Sequence, residues 1–572
     1  MLGRGQTSYL LAACLIGSCL ATLSWFMTPG MPPGGFIIDG DTAMRLVRLT
    51  DSLAAGTALH SVMRDSSGQG TMLHWTHLID ALVLAVASPV AAVAGWHAGL
   101  LWAAAVFGPL CMGALAASIV WAIKPLALTG VNEPPCPLWL SAVALGLAPT
   151  IQSYGSVGVI HHHIPILVTG ALAAGCVVRS LIQPSVSTGI GTGLWIAVGV
   201  WFSPEALMPG LIALGVVWVA WLQRPSSDLG RTLAVAGATL FGGLALTLLL
   251  DPPAFGLLSV EPDRLSIMYV ALGAGAAIAG AAAMRVGRLG AAFVVAAIIV
   301  AWCAAFPELL RGTAGLMTRS EARVFFEGIS EMAPVDSVEL GLAALGAGSL
   351  ATILIAFLGW QQRSLPLIWL AVCGVATIGL STHHLRFSAY PAALAAATLP
   401  LALSFISRSH LPDRLTQWVR LGTIAAALGF PALANLGTAT AQEVTIDTTG
   451  LQDPGCLIDD AVALIAPLGR GVVLAQVNLN PTLLWRTPAT TVGTLFHRGV
   501  AGYLRLHTAW LDATDPEAAV RLTGAEAVLV CARPGQTAPA GSLADQLIRR
   551  AVPPWLTQMG SAGGYVLYQV RR

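Results

Sequence analysis

Long apolar runs, separated by short polar segments, dominate the pattern of this chain. A run of about 20 apolar residues is long enough to cross the hydrocarbon core of a membrane as a helix. The pattern predicts thirteen such spans, at residues 8–27, 97–123, 137–155, 162–178, 188–203, 206–222, 232–250, 267–284, 289–307, 338–359, 365–381, 388–406 and 418–438. We therefore expect a polytopic α-helical membrane domain over residues 1–439.

Residues 440–572 follow a different pattern, in which short β-branched and aromatic runs alternate with short amphipathic segments. Strands are predicted at 472–476, 527–531 and 565–570, and helices near 516–522 and 543–551. This pattern indicates a small α/β domain outside the membrane.

Basic residues gather at one set of span ends when the N-terminus is placed in the cytoplasm. They are Arg4, Lys124, Arg179, Arg224, Arg231, Arg285, Arg288, Arg363, Arg408, Arg414 and Arg420. The positive-inside rule favours this arrangement. Segment 78–95 is also apolar, but a crossing there would turn the later basic loops outward, so we interpret it as a shallow or re-entrant helix. The first loop, 28–96, and residues 440–572 then lie on the extracytoplasmic side.

Composition narrows the classes of function. A chain that is 56% hydrophobic and 10% charged is too apolar to be a soluble multidomain protein, and a net charge of +1 gives no basic surface for nucleic acid. Seven of the nine cysteines lie in or beside apolar runs without metal-type spacing. Cys456 and Cys531 lie in the polar final stretch, where they can form a disulfide if that stretch is extracytoplasmic. The sequence leaves this pairing open.

The first outer loop begins with two carboxylates, Asp39 and Asp41, followed by Arg45 and Arg48 at helical spacing. Paired carboxylates can bind a divalent cation or act as a base, and arginines can bind a phosphate through their forked donors. The alternative is a solvated amphipathic helix with ordinary ion pairs.

Three consecutive histidines, His161, His162 and His163, lie at the junction of two apolar runs. Imidazoles at a membrane edge can ligate a metal or transfer a proton. Adjacent residues of a helix point in different directions, so we expect at most two of them to act together. The alternative is a polar cap at the membrane interface.

Further polar residues follow at the edges of later spans. Loop 308–337 contains Glu331 and is long enough to bind a ligand. Arg264 and Arg386 also lie at outward span edges, where each alone could be a snorkelling side chain. Their common placement on one face favours a shared site.

Together these motifs resemble the GT-C superfamily of integral membrane glycosyltransferases, in the branch that contains the catalytic subunit of oligosaccharyltransferase. The order of spans, large first loop, long fifth outer loop and C-terminal extracytoplasmic domain is similar. Asp39 and Arg45 match an Asp followed six residues later by an Arg, and the Ser330–Glu331 pair matches the end of a Ser-x-Ser-Glu motif. The histidine triplet stands where the family has a second acidic motif.

The chain also resembles uncharacterised bacterial membrane proteins in four short stretches. These are Asp41 to Arg45, His74 to Asp80, His161-His162 and Phe496-His497-Arg498. The Trp-Trp-Asp motif of oligosaccharyltransferases is absent from the tail, so the resemblance does not extend to an Asn-x-Ser/Thr acceptor. Histidines in place of the second acidic motif lower the negative charge that attracts magnesium.

The resemblance implies transfer of a sugar from a polyprenyl-phosphate-linked donor to an envelope glycan, lipid or protein. It places the protein in a bacterial inner membrane, with the N-terminus cytoplasmic and the C-terminal domain periplasmic. The expected residues are Asp39, Asp41 and Glu331 for catalysis, Arg45, Arg264 and Arg386 for the donor phosphate, His74, His497 and Arg498 for the acceptor, and His161, His162 and Asp39 for a divalent metal ion.

Two other classes compete with this interpretation. A transporter or flippase of a lipid-linked or anionic solute predicts ionisable residues inside several spans and an inverted repeat. An inactive scaffold whose tail binds envelope partners is the third possibility, which the histidine substitution would permit.

Overall fold

The computed structural model describes residues 4–27, 39–127, 136–327, 329–407, 412–437, 456–512, 514–531 and 538–571. The predicted domain boundary at 439/440 lies outside these residues, as do Gly328 of the fifth outer loop and residues 28–38 of the first.

The first part of the chain is almost entirely helical, because its apolar runs satisfy their backbone hydrogen bonds within each segment. Its helices are α1 (Arg4–Met27), α2 (Gly40–Ala55), α3 (Leu78–Ile123), α4 (Leu140–Gly146), α5 (Pro149–Gly155), α6 (His163–Ile182), α7 (Val186–Phe202), α8 (Leu207–Gln223), α9 (Ser227–Leu250), α10 (Ile267–Arg285), α11 (Arg288–Ala305), α12 (Arg319–Glu327), α13 (Val338–Gln362), α14 (Leu365–His383), α15 (Ala389–Ser407) and α16 (Asp413–Gly437). A two-stranded hairpin, β1 (Ser61–Val62) with β2 (Thr71–Met72), lies between α2 and α3.

Nine helical segments in the described ranges are long and apolar enough to cross a membrane, so the chain is a multi-pass membrane protein. They correspond to nine of the thirteen predicted spans. Predicted spans 8–27 and 188–203 contain shorter apolar helices, Ser8–Ser24 and Val186–Phe202. Span 418–438 falls largely within α16.

The remaining predicted span, 137–155, is not one continuous helix. It is divided into α4 and α5, with Ala148 in an extended conformation between them. Pro149 explains the division, since the proline ring disfavours helical geometry at the preceding residue and removes a backbone donor. The expectation of a single helix was wrong here.

Segment 78–95 forms the first arm of a sharp helical hairpin within α3. Gly95 adopts φ 84° and ψ 163°, outside helical geometry, and reverses the chain. Ile79 and Val83 of the first arm then pack in one apolar cluster with Leu100 of the second. The arms meet so closely that a Cβ on Gly99 would lie 2.7 Å from the Ala87 carbonyl oxygen.

The C-terminal part contains a five-stranded mixed sheet flanked by short helices. The elements are α17 (Ile458–Ile465), β3 (Val472–Leu474), α18 (Asn480–Arg486), β4 (Thr490–Thr491), α19 (Val500–Leu511), α20 (Pro516–Leu522), β5 (Ala527–Cys531), α21 (Leu543–Ile548), β6 (Leu556–Ala562) and β7 (Tyr565–Val570). The sheet order is β4-β3-β5-β7-β6, with the first three strands parallel and the last two antiparallel to their neighbours. Cys456 and Cys531 form a disulfide bond.

The hairpin of the first outer loop joins the two parts. Arg64 donates three hydrogen bonds, of 2.6 to 3.0 Å, to backbone carbonyls of residues 484–489. The buried carboxylate of Asp65 accepts hydrogen bonds from the hydroxyls of Thr491 and Thr494. These bonds join the C-terminal part to the segment between α2 and α3.

Candidate functional site

Asp39 and Asp41 lie at the amino end of α2. Asp39 is the N-cap residue: its Oδ2 accepts hydrogen bonds from the Thr42 backbone N–H at 2.8 Å and from the Thr42 hydroxyl at 2.7 Å. A carboxylate is favoured there because the first N–H groups of a helix have no partners within it. The Thr42 hydroxyl accepts a 2.8 Å bond from the backbone N–H of Ile160. This contact fixes the start of α2 beside the histidine triplet.

The three histidine side chains converge. Their nearest ring nitrogens all lie within 4.8 Å of one another, and the Nδ1 atoms of His161 and His163 are 2.6 Å apart. Only His163 belongs to α6, whereas His161 and His162 lie in the irregular chain before it. The helical geometry on which the limit of two histidines rested therefore does not apply to the first two, and all three side chains come together.

The triplet has the chemistry of a metal site. His161 Nε2 lies 3.0 Å from Asp41 Oδ2, and the buried Nδ1 of His162 has no hydrogen-bond partner among the described residues. An unpaired buried nitrogen is costly unless a ligand satisfies it. Three imidazoles and a carboxylate suit zinc or a similar transition metal better than magnesium. Asp41, rather than Asp39, is the carboxylate paired with the histidines.

The pKa values of neighbouring histidines at this site are shifted in opposite directions. Burial by itself lowers the pKa of His161, but the carboxylates of Asp41 and Asp39 outweigh it and raise the pKa to about 9. Burial raises the pKa of Asp39 despite the nearby imidazole. Burial and the charge of His161 lower the pKa of His162 well below its ordinary value. At neutral pH a cationic imidazole thus lies beside a neutral one.

A second group of charges adjoins the triplet. The Arg386 guanidinium donates a hydrogen bond to the Glu205 carboxylate, and its Nη2 lies 3.4 Å from His163 Nε2. Its Nη1 lies 3.7 Å from a carboxylate oxygen of Glu331, whose other oxygen accepts a 2.9 Å hydrogen bond from the Tyr154 hydroxyl. Arg386 and Glu331, predicted separately, are thus neighbours beside the triplet.

The predicted acceptor residues form a third group. The ring of His74 lies 4.4 Å from that of His497, and His497 Nε2 lies 2.5 Å from a carboxylate oxygen of Asp263. Arg498 donates to both oxygens of Asp263 and to Glu261. The structure therefore brings His74, His497 and Arg498 together, with Arg498 bound to two carboxylates.

Two predicted phosphate-binding arginines are already engaged. Arg45 pairs with Asp80 at 2.8 Å and Arg264 with Asp251 at 2.5 Å, and each arginine side chain is 1% exposed. Arg386 is paired as well, with Glu205, but its side chain is 17% exposed, so it is the most accessible of the three candidates. Sequence spacing could not distinguish a buried structural pair from an exposed binding group.

An apolar cavity of about 150 Å³ lies among α3, α6, α8, α14 and α15. Its walls include Leu167, Pro209, Trp369 and Tyr390. Tyr390 lies at the start of α15, four residues after Arg386, so the chain leads from the charged group directly to the wall of the cavity.

Two residues of the site were given no role from sequence. Glu205 and Asp263 pair with Arg386 and with His497, respectively. Both follow apolar spans on the same predicted face as the other polar residues, and ionisable groups at such edges are rarely incidental. Their position at these span edges could have identified both residues from the sequence.

The fold is similar to solved membrane oligosaccharyltransferase structures. The chain aligns with the oligosaccharyltransferase AglB of Archaeoglobus fulgidus, in complex with an inhibitory peptide and a dolichol-phosphate, at a TM-score of 0.67 and 14% identity. The alignment covers 92% of this chain and 69% of that one. A structure of the A. fulgidus enzyme with zinc and sulfate aligns at a TM-score of 0.63 and 15% identity, over 91% and 67% of the two chains.

The structural likeness confirms the predicted GT-C fold. At this level of identity it shows the fold alone. No protein-family model matches the chain, and no curated protein matches it by sequence.

Proposed function

We propose that this chain is a membrane glycosyltransferase that transfers a sugar from a polyprenyl-phosphate-linked donor to an acceptor on the extracytoplasmic face. One observation carries the proposal: two carboxylates, three histidines and an arginine converge beside an apolar cavity of the membrane domain. Such a site can hold the charged and the apolar parts of a lipid phosphate together.

Arg386 is the proposed contact for the donor phosphate. Its guanidinium lies beside His163, and its side chain is 17% exposed, against 1% for Arg45 and Arg264. Arginine binds phosphate oxygens in a forked geometry. The prenyl chain would enter the cavity walled by Trp369 and Tyr390, where its burial is favourable. The dolichol-phosphate bound by the archaeal enzyme is a ligand of this chemical class.

The proposed divalent metal would be held by four side chains, those of His161, His162, His163 and Asp41. An ion bound there would supply positive charge beside the leaving phosphate. Its binding would displace the proton that the high pKa of His161 favours. The zinc in a structure of the archaeal enzyme is consistent with this choice of metal.

Asp39 is the proposed base. In a direct displacement, the acceptor hydroxyl loses its proton to the carboxylate while its oxygen bonds to the anomeric carbon. The bond from that carbon to the phosphate oxygen breaks, and the phosphate keeps the electron pair. Burial raises the pKa of Asp39, which makes its carboxylate a stronger base. Arg386 would stabilise the charge on the departing phosphate.

Several features support an extracytoplasmic site in a bacterial inner membrane. The Cys456–Cys531 disulfide is favoured in an oxidising compartment, and the charge asymmetry of the loops favours a position of this domain opposite the cytoplasm. The loop with His497 and Arg498 borders the site, so we assign an envelope glycan, lipid or protein acceptor to this side. Glu331, hydrogen bonded by Tyr154, would help to position the groups around Arg386.

The first test compares cells that produce wild-type protein with cells that produce Asp39→Asn at matched levels. Mass spectrometry of envelope glycans and polyprenyl-phosphate sugars is the measurement. We expect one sugar to disappear from a glycan and its lipid-linked donor to accumulate. Asp51→Asn is the matched control, because Asp51 lies on the same helix, away from the N-cap. Unchanged glycans and donors in the Asp39→Asn cells would contradict the proposal.

A further inference from the structure

Two imidazoles and a carboxylate converge outside the histidine triplet. Ligand atoms of His74, Asp263 and His497 lie within 4.8 Å of one another. Each comes from a different segment: the first outer loop, the loop between α9 and α10, and the C-terminal part after β4. Three ligands from segments so far apart in sequence meet only in the folded protein.

The donor atoms are suitable for a cation. The ring of His74 lies 4.4 Å from that of His497. Asp263 is buried, and its Oδ2 lies 2.5 Å from His497 Nε2. A bound metal would replace the proton between these two atoms and draw all three ligands toward one centre.

The surrounding charge is also favourable. Arg498 donates to Asp263 and Glu261, so two carboxylates share one guanidinium. Two carboxylates and one guanidinium have a net charge of −1, and this charge lies in a partly buried region before any ion binds. A divalent cation would offset it, and Arg498 would keep its bonds to the outer lone pairs of the carboxylates.

The geometry points to a second metal site, formed by His74, Asp263 and His497 and selective for a transition-metal dication such as Zn²⁺. Two imidazoles and one carboxylate are a common zinc ligand set that leaves a coordination position open, and they disfavour magnesium and calcium. Its ligands are different residues from those of the triplet, and its existence does not depend on the proposed glycosyltransferase activity.

The position of this site gives it a structural consequence. The ion would join the first outer loop and the loop after α9 to the segment Phe496–Arg498 of the C-terminal part. Metal bonds that cross such an interface stabilise the assembled form, because the ligands are far apart in the unfolded chain. Zinc should therefore raise the unfolding temperature of protein that lacks the triplet site.

The test uses full-length protein in detergent, stripped with a chelator, reloaded with Zn²⁺ and desalted. Bound zinc is measured by inductively coupled plasma mass spectrometry, with unfolding temperature as a second readout. We expect two zinc ions per wild-type chain, one in His74→Ala, one in His497→Ala and one in His161→Ala. His97→Ala is the control and should keep two, since His97 stacks on Trp485 at the same interface but outside both clusters.

A substitution that restores a ligand separates metal loss from misfolding. His74→Cys should keep the second ion, because a thiolate is also a zinc ligand, whereas His74→Ala should lose it. Equal zinc in wild type, His74→Ala and His497→Ala would overturn the second site. If only the His161→Ala protein lost zinc, the triplet metal would stand and this site would fall. If only the His74→Ala and His497→Ala proteins lost zinc, this site would stand and the triplet metal would fall.

Discussion

Asp80→Asn should destabilise the protein strongly, because Asp80 is the shared partner of two buried arginines. Its carboxylate oxygens lie 2.8 Å from Arg45 and 2.6 Å from Arg48, and these guanidiniums are 1% and 0% exposed. Removing one member of a buried ion pair typically costs about 3–5 kcal/mol. An asparagine can accept from one arginine, but its amide group presents donors to the other. We therefore expect a loss of about 4 kcal/mol.

The assay is thermal unfolding of purified protein in detergent. At about 2–4 °C per kcal/mol, the value for domains of 150–250 residues, the Asp80→Asn protein should unfold about 10 °C below wild type. Glu517→Gln is the control, because its exposed pair with Arg521 should be worth less than about 1 kcal/mol. A difference of less than about 2 °C for Asp80→Asn would refute the reasoning.

A triple substitution separates the burial of charge from the loss of contacts. Replacing Arg45 and Arg48 by Met together with Asp80→Leu removes every charge of the network. It should unfold above the single Asp80→Asn variant, since no guanidinium is left without a partner. A triple variant less stable than the single one would show that the arginines contribute mainly through other contacts, such as the position of Arg45 4.4 Å from the centre of the Trp75 ring.

Three further predictions concern stability. Cys456→Ser should lower the free energy of unfolding by about 4 kcal/mol, since the bond with Cys531 closes a loop of 75 residues. In thermal unfolding, a reductant should destabilise the wild type but not the variant. Gly95→Ala should cost about 1–3 kcal/mol, because φ 84° and ψ 163° form a combination that essentially only glycine adopts. A variant as stable as wild type in the same assay would contradict this. Burial and the charge of Arg264 lower the pKa of His60 to about 4. The folded protein therefore favours the neutral imidazole, so the contribution of His60 to the free energy of unfolding should be complete above about pH 6.5 and be lost as pH falls toward 4. His60→Gln should flatten the pH dependence of the unfolding temperature in that window, and an unchanged slope would exclude His60 as its source.

The membrane helices were the most predictable part of the fold. Twenty consecutive apolar residues leave few alternatives, and the predicted span at 267–284 differs by one residue from Ile267–Arg285. Where a single residue decides the geometry, the apolar pattern was insufficient. Pro149 divides α4 from α5, and β4 consists of only Thr490 and Thr491, too short to show alternation.

The members of the site were more predictable than their contacts. The topology grouped Asp41 and His161 on one face, but their 3.0 Å contact joins positions 120 residues apart, which no local pattern encodes. Arg45 shows the opposite case. Its helical spacing predicted a phosphate-binding side chain, whereas the structure shows its guanidinium buried against Asp80. Pairing of this kind depends on tertiary packing and not on residue type.

The bonds from Arg64 to the C-terminal part impose an order on biogenesis. Its nearest carbonyl partners lie 420 to 425 residues later in the chain. At about 5–20 residues per second, synthesis of that intervening stretch takes roughly 20–85 s. The hairpin must therefore wait for these carbonyl partners until residues 484–489 have been made and have folded. The contacts of Asp263 with His497 and Arg498 likewise wait for the C-terminal part, so truncated chains released early from the ribosome would lack that share of the site.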